Sequence, residues 1–372
     1  MLVRHLSGSF PRMLVGALLL LGVVLDVCAT TVAFLNPGKS DEKFWVSVTR
    51  FMQSAATDLR IDLETLYAER DPTRMINNAR AVLARPRKPD YLVVVNEKQV
   101  APEIIRAAHG SGINIFLLLN ALSAQEKKAL AEGGSRLDSI IGSIVPDNEE
   151  AGFQMAERLI REARRRSLVA SDTGMQMVAI SGDRATAASV EREAGLRRAL
   201  NNHADVRLMQ LVYGEWSTER AREQMEVLIA RYPEARLVWS ANDIMAFGAM
   251  EAAEARRIAP GRDMVFAGLN NSSEAMRARA NGRLSVLAAG HFAAGGWAMV
   301  MIHDHAARAM PAKASERERR DPLFMLLDER QAARFLERFG DDAGLAFNFR
   351  QFSLAYNRKE SAYRFSLSRL LE

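Results

Sequence analysis

Between Arg236 and Arg257 the hydrophobic pattern changes period within a few residues. Leu237, Val238 and Trp239 form an unbroken apolar run up to Ser240, and from Ile244 onward Met245, Phe247, Met250 and Ala253 recur at helical spacing. A buried strand therefore feeds a helix across a very short turn that displays Asn242 and Asp243. This corner belongs to an open sheet of parallel strands, where ligands bind at the carboxyl ends of the strands beside the free N–H groups of the following helix. Asn242 is read as a ligand contact and Asp243 as the helix cap. The plainer alternative is that both only cap the helix.

The same alternation runs through most of the chain. Strands are expected at residues 31–35, 63–67, 91–95, 113–119 and 138–145. Helices are expected at 44–59, through Trp45, Val48, Met52 and Ala55, from Pro72 through Leu83, and at 101–109. Pro146, Asp147 and Asn148 then open a long helix to about residue 166. A second series follows, with strands at 175–180, 206–212, 264–269 and 284–288 around the opening one and helices at 187–201 and 218–232. Two sets of similar length predict an α/β chain of two Rossmann-like lobes, each a parallel sheet flanked by helices. The helix at 291–307 and the segment 322–327 return across the boundary. Residues 30–145 with 291–321 then form an N-terminal lobe, and 146–290 with 322–372 a C-terminal one. Residues 317–321 are expected as a charged loop and 329–339 as a short helix. The aromatic end, with Phe347, Phe349, Phe352, Tyr356, Tyr363 and Phe365, is too apolar for a disordered tail; it packs on the second lobe or presents a partner surface.

Charge and leader narrow the setting. With 50 basic and 45 acidic residues mixed along the chain, the net charge of +5 gives no footprint for nucleic acid. Residues 1–29 have the physics of a secretion signal: Arg4 and Arg12 precede an apolar run from Met13 to Leu25, and Val27-Cys28-Ala29 offers a cleavage site. The run is shorter than the ~20 residues that span a bilayer. Cleavage after Ala29 removes the single cysteine, so the mature protein folds without disulfides in the periplasm.

The order and spacing of these elements resemble the type I periplasmic binding proteins, the ribose- and galactose-binding group that serves sugar importers. The resemblance covers about residues 31–327. It rests on Asn36 with Phe44-Trp45 after the first strand, Asn96 after the third, Asp147-Asn148 at the crossover and Glu191-Arg192 in a helix. It also rests on Ala241-Asn242-Asp243-Ile244-Met245-Ala246 with Gly248, and on Gly268-Leu269-Asn270. The cytoplasmic sugar-responsive repressors share this core but carry a DNA-binding headpiece where this chain has its leader.

The resemblance implies two lobes joined by three crossovers and closing on a ligand in the cleft. An aromatic pair, Phe44 and Trp45, and Trp216 from the second lobe would sandwich a sugar ring, whose C–H faces suit flat rings and whose rim suits fixed polar groups. The residues it marks as ligand-binding are Asn36, Phe44, Trp45, Asn96, Asn148, Arg192, Trp216, Asn242, Asn270 and His291. Two departures stand out. Where the family's sugar binders often have Asp-Arg after the fourth strand, this chain has Asn120-Ala121, losing a carboxylate and a guanidinium; Gly290-His291 replaces the usual amide near the third crossover.

Other chemistry finds little support. Ala33 to Ser40 fits a relaxed phosphate-loop pattern, but Ala33 and Phe34 still belong to the strand and Pro37 removes an N–H that the cradle needs. No Gly-x-Ser-x-Gly elbow is present, and His303 and His305 point to different helix faces. No cofactor or metal is expected and no enzyme is read. A glycosidase using Glu215 and Asp147 is the reading from another class. The leading expectation is a soluble receptor that hands a sugar-like molecule to a membrane ABC permease; the alternative is a sensory receptor that docks on a membrane histidine kinase or cyclase.

Overall fold

The computed structural model describes residues 29–135, 137–168, 174–340 and 347–367. The leader thus lies, apart from Ala29, outside the described residues. The first lobe is built from β1 (Thr30–Asn36), α1 (Lys43–Leu59), β2 (Ile61–Tyr67), α2 (Pro72–Leu83), β3 (Tyr91–Val94), α3 (Ala101–Ala108), β4 (Asn114–Leu118), α4 (Ala124–Glu132) and β5 (Ile140–Pro146). The second holds α5 (Asn148–Arg165), β6 (Met175–Ser181), α6 (Ala187–Leu200), β7 (Val206–Tyr213), α7 (Thr218–Arg231), β8 (Leu237–Ser240), α8 (Asp243–Ala255), β9 (Val265–Leu269), α9 (Ser273–Ala280) and β10 (Val286–Ala289). The chain then returns through α10 (Ala294–Ala306), α11 (Ala314–Arg317) and β11 (Glu318–Asp321) to β12 (Met325–Leu327) and α12 (Glu329–Phe339).

Each lobe contains a six-stranded sheet. The orders are β11-β5-β4-β3-β1-β2 and β12-β10-β9-β8-β6-β7, with only β12 antiparallel to its neighbour. Central strands such as β3 and β9 are buried along their whole length, as expected where helices cover both faces. The chain passes between the sheets three times: after β5, after β10 and after β11.

Two expectations are corrected. Residues 318–321, expected as loop, form the parallel edge strand β11 on β5, with Glu318 in register with Ser143. An edge strand tolerates its charges because they find partners: Lys127 pairs with Glu318, and Arg320 with Glu191 at 2.8 Å.

The aromatic tail does not keep to the second lobe. Its α12 sits on α9, where Arg279 donates to the Leu327 carbonyl (2.8 Å) and pairs with Glu329 (3.0 Å). Residues 347–365 instead cross to α1 and α10 of the first lobe, where Phe349 packs on Phe51 and Phe365 stacks on Trp297 with centroids 4.9 Å apart. The physical reason is Asp304 on α10. Its wholly buried carboxylate needs donors, and the tail supplies the Ser353 hydroxyl (2.5 Å) and the Leu354 (2.7 Å) and Ala355 (3.2 Å) amides. Asp304→Ala leaves these donors without their acceptor. It should cost about 2–4 kcal/mol in urea unfolding and open residues 347–367 to limited proteolysis. An unchanged midpoint and cleavage pattern would show that the tail is held by its rings alone.

Candidate functional site

The carboxyl ends of the parallel strands of both sheets face one cavity, lined from both lobes. At the first lobe's wall, Asn36 closes the turn after β1. Its Oδ1 accepts from the Gly38 amide (2.9 Å), and its Nδ2 donates to the Thr49 hydroxyl (3.1 Å). That turn packs flat on Trp45: a Cβ on Gly38 would lie 1.9 Å from the indole, so only glycine fits. Phe44 meets Trp45 edge-on and stacks on His291, with ring centroids 4.4 Å apart and planes 15° from parallel.

The turn after β2 brings in Arg70, held at a φ of 64°. Its Nε donates to Glu42 (2.9 Å), a second guanidinium nitrogen to the same carboxylate, and the third to Glu97 from the turn after β3. Burial opposes the Arg70 charge, but Glu97 and Glu42 together outweigh it and hold the pKa above the ordinary arginine value. Burial pushes Glu97 upward, and the negative charges of Glu42 and Asp183 add to this against the pull of Arg70. Leu119 and Asn120, at the end of β4, complete this wall.

The second wall depends on how closely α5 and α6 approach. A Cβ on Gly152 would sit 2.1 Å from the Arg192 carbonyl oxygen, so glycine there brings Arg192 against the start of α5. Arg192 donates through Nε to Asn148 Oδ1 (3.0 Å) and through one terminal nitrogen to the Ala241 carbonyl (2.9 Å). Burial lowers its pKa to about 10, opposed by Glu191 and Asp243, so it stays charged at neutral pH. From the turn after β7, at a φ of 57°, Trp216 donates its Nε1–H to Asp183 (2.7 Å). Burial works against the Asp183 charge, but the Thr186 amide and hydroxyl, Trp216 and the Ala185 amide hold its pKa below the usual value.

At the corner after β8 Asn242 lines the cavity as read from sequence, but the cap expected at Asp243 falls to it as well. Asn242 is the cap, its Oδ1 accepting from the Met245 amide (3.0 Å), while it also lines the cavity. Asp243 is wholly buried and accepts from Asn270 Nδ2 (2.8 Å) and the Ser272 hydroxyl (2.6 Å), tying the ends of β8 and β9 together. Burial raises its pKa against the lowering effect of those bonds.

Of the ten residues marked in sequence, the cavity brings together Phe44, Trp45, Asn148, Arg192, Trp216, Asn242, Asn270 and His291. Asn36 and Asn96 lie outside it. Asn36 holds the β1 turn, and Asn96 spends its amide on the Ala121 carbonyl (3.2 Å), Glu126 (3.1 Å) and the Ala101 N–H (3.1 Å). Sequence reasoning missed Glu42, Arg70 and Glu97. The guanidinium and carboxylate absent from positions 120 and 121 are thus present, supplied by two other strand ends. The one sequence signal beside Arg70 is Asp71-Pro72, which opens α2. Neither Asp147 nor Glu215 lines the cavity, and Asp147 caps α5 through the Glu150 amide (3.1 Å). Among the described residues no cluster of His, Cys, Asp or Glu is arranged to hold a metal ion, and no helix is long and apolar enough to cross a membrane.

Comparisons with known proteins agree with this geometry. A sugar-binding periplasmic protein from Pseudomonas fluorescens is 45% identical in its crystal structure, with a TM-score of 0.84, covering 92% of this chain and 100% of its own. The galactofuranose-binding protein YtfQ of Escherichia coli (strain K12) is 19% identical over 255 residues, 68% of this chain and 74% of its own. An ABC transporter periplasmic solute-binding protein from Actinobacillus succinogenes, solved with bound D-allose, shares the fold at 18% identity and a TM-score of 0.68, over 82% of this chain and 99% of its own. The family profile described as the periplasmic binding protein domain matches residues 32–309. With two α/β lobes, three crossings and one cavity between the strand ends, the chain belongs to the periplasmic binding protein domain family.

Proposed function

We propose that this protein captures a small polyhydroxylated, sugar-like molecule between its lobes and presents it to a membrane ABC importer. One observation carries the reading. Three buried polar atoms of the cavity's lining residues have no partner among the described residues: Trp45 Nε1, Asn120 Oδ1 and His291 Nδ1. They are a donor, an acceptor and an imidazole nitrogen, a mixture that hydroxyl groups, which both donate and accept, can meet. The rings of Phe44, Trp45 and Trp216 beside them suit the C–H faces of a sugar. A phosphate or a metal ion would not use that mixture.

Because the lining comes from both lobes, a ligand gains its full set of contacts only when the cleft is closed, and it shifts the open–closed equilibrium by that difference. The relatives support import: one binds a sugar in the periplasm and another is an ABC transporter solute-binding protein. The leader in residues 1–29 fits export to the same compartment. The test is calorimetry of the purified protein against a panel of pentoses and hexoses. Asn242→Ala and Trp216→Ala should each weaken the sugar that binds by about 1–3 kcal/mol, or about 5- to 150-fold in Kd, with the fold intact by circular dichroism. Full affinity in both variants would place the site elsewhere, and no heat with any sugar would overturn the reading.

His291 meets the ligand as a neutral ring. Burial, and after it the Arg192 charge, hold its pKa well below the ordinary histidine value. The unfolded chain therefore takes up a proton near pH 6.5 that the folded protein refuses, so stability present above that pH is lost as the pH falls below it. Between pH 6.5 and 5.5 the wild type should lose about 1 kcal/mol more unfolding free energy than His291→Gln. Parallel pH profiles in urea titrations would contradict this.

A further inference from the structure

We propose that the captured sugar carries a second unit, as in a disaccharide, whose outer ring lies in a side chamber that adjoins the sugar cavity at Asn120. This rests on the sugar-capture reading and names the class of sugar it would take.

Asn120 belongs to both spaces. It lines the cavity already described and also a recess between the lobes, walled by the turns after β3 and β4 on one side and by the start of α6 on the other. Its backbone is pinned. Leu119 before it stands at a φ of 63°, the Asn120 amide donates to the Leu118 carbonyl (2.7 Å), and its carbonyl accepts from the Asn96 amide (3.1 Å). The residue is 4% exposed, and its Oδ1 has no partner among the described residues. A buried acceptor on a fixed turn between two spaces calls for a ligand donor at that point. The linkage of a disaccharide supplies one: a ring hydroxyl beside the glycosidic oxygen sets a donor next to an acceptor, matching the Oδ1 and Nδ2 of one amide.

The chamber suits a second ring. Ala121, Ala185 and Ala187 line it with small side chains, and Ala121 is one of the departures noted in the sequence, methyl in place of guanidinium. The Gln99 amide from the first lobe and the Arg184 guanidinium from the second have no hydrogen-bond partner among the described residues, although Arg184 stacks on Tyr213 at 4.1 Å. Val190 is 50% exposed and offers an apolar side chain for a C–H face. Lys127 with Glu318 and Arg320 with Glu191 pair among themselves, so neither sign of charge dominates the lining. Asn96, marked in sequence as a ligand contact and absent from the sugar cavity, lines this chamber. Because both lobes contribute to it, the occupant adds contacts that only the closed form completes.

The experiment is calorimetry on the mature protein with D-galactose beside lactose and melibiose, and D-glucose beside cellobiose, maltose and trehalose. At least one disaccharide should bind ten-fold or more tightly than either monosaccharide. Ala121→Arg, which fills the chamber, should bring that ratio below three-fold while the monosaccharide Kd stays within three-fold of wild type. Should that variant fail to fold, Val190→Trp at its exposed position carries the same test. A disaccharide advantage below ten-fold throughout would overturn the proposal while leaving sugar capture standing. A ratio that survives the filled chamber would overturn it too, by placing the outer ring elsewhere. Silence from every sugar in the folded wild type would instead remove sugar capture itself, and this proposal with it.

Discussion

The two lobes are tied where Gly290 packs against the chain as it crosses back. Its φ of 121° and the Leu323 carbonyl, 2.4 Å from where a Cβ would be, allow no side chain. Two of the three crossings therefore touch backbone to backbone, and the next residue, His291, is set between Phe44 at 4.4 Å and Phe324 at 4.8 Å. The pivot and the cavity wall are consecutive residues of the chain. His291 therefore lies both beside the crossing and in the cavity wall, held between rings of the first lobe and of the third crossing.

What biases the closed form can be weighed. Across the lobes, Arg320 pairs with Glu191 at 2.8 Å, but the two side chains are 50% and 26% exposed, and such pairs contribute roughly 0–1 kcal/mol. The charges inside the walls are of another kind. Arg192 and Asp243 are buried, and removing one partner of such a set leaves an uncompensated charge that costs about 3–5 kcal/mol; the Arg70 clamp is partly shielded. Yet each of these sets lies within a single lobe, so it stiffens its own wall and does not hold the lobes together. Rigid walls with a weak bridge between them leave the closed state to be selected by what fills the space.

How much of this was legible in sequence follows from which interactions are local. Strand-to-helix alternation is local and gave both sheets and the crossings. The eight cavity residues found in advance sit at strand ends or helix starts, positions that a period change marks. That Asn242 and not Asp243 caps the helix was not legible, because Asp243 is drawn to Asn270 and Ser272, which only the fold brings near. Arg70 was hidden for a different reason: its turn runs through two residues at positive φ, Glu69 and Arg70, with no glycine or asparagine to announce it. Backbone of this kind recurs around the cavity, at Lys98, Gln99, Leu119, Glu215, Trp216 and Asn270. Residues held in sparsely populated conformations gather where geometry must be fixed for a ligand. The charged β11 failed as a sequence reading because its partners, Lys127 and Glu191, lie far away in the chain.

The aromatic tail adds a constraint that the two-lobe scheme alone does not contain. After α12 has settled on α9 of the second lobe, residues 347–365 lie on α1 and α10 of the first. Between these anchorages Phe335 and Phe339 surround Phe292, two residues beyond Gly290, with centroids at 5.7 and 5.6 Å, and Phe339 also meets Phe51 of α1 at 6.4 Å. Apolar packing of this density resists being pulled open, because every separated ring pair returns apolar area to water at about 25 cal/mol per Å2. The tail flank of the pivot is therefore the stiff side, and the face bearing Trp45, Arg70 and Trp216 is where the lobes have least to separate. The ring packing and the unpaired polar atoms thus lie on opposite flanks of the pivot.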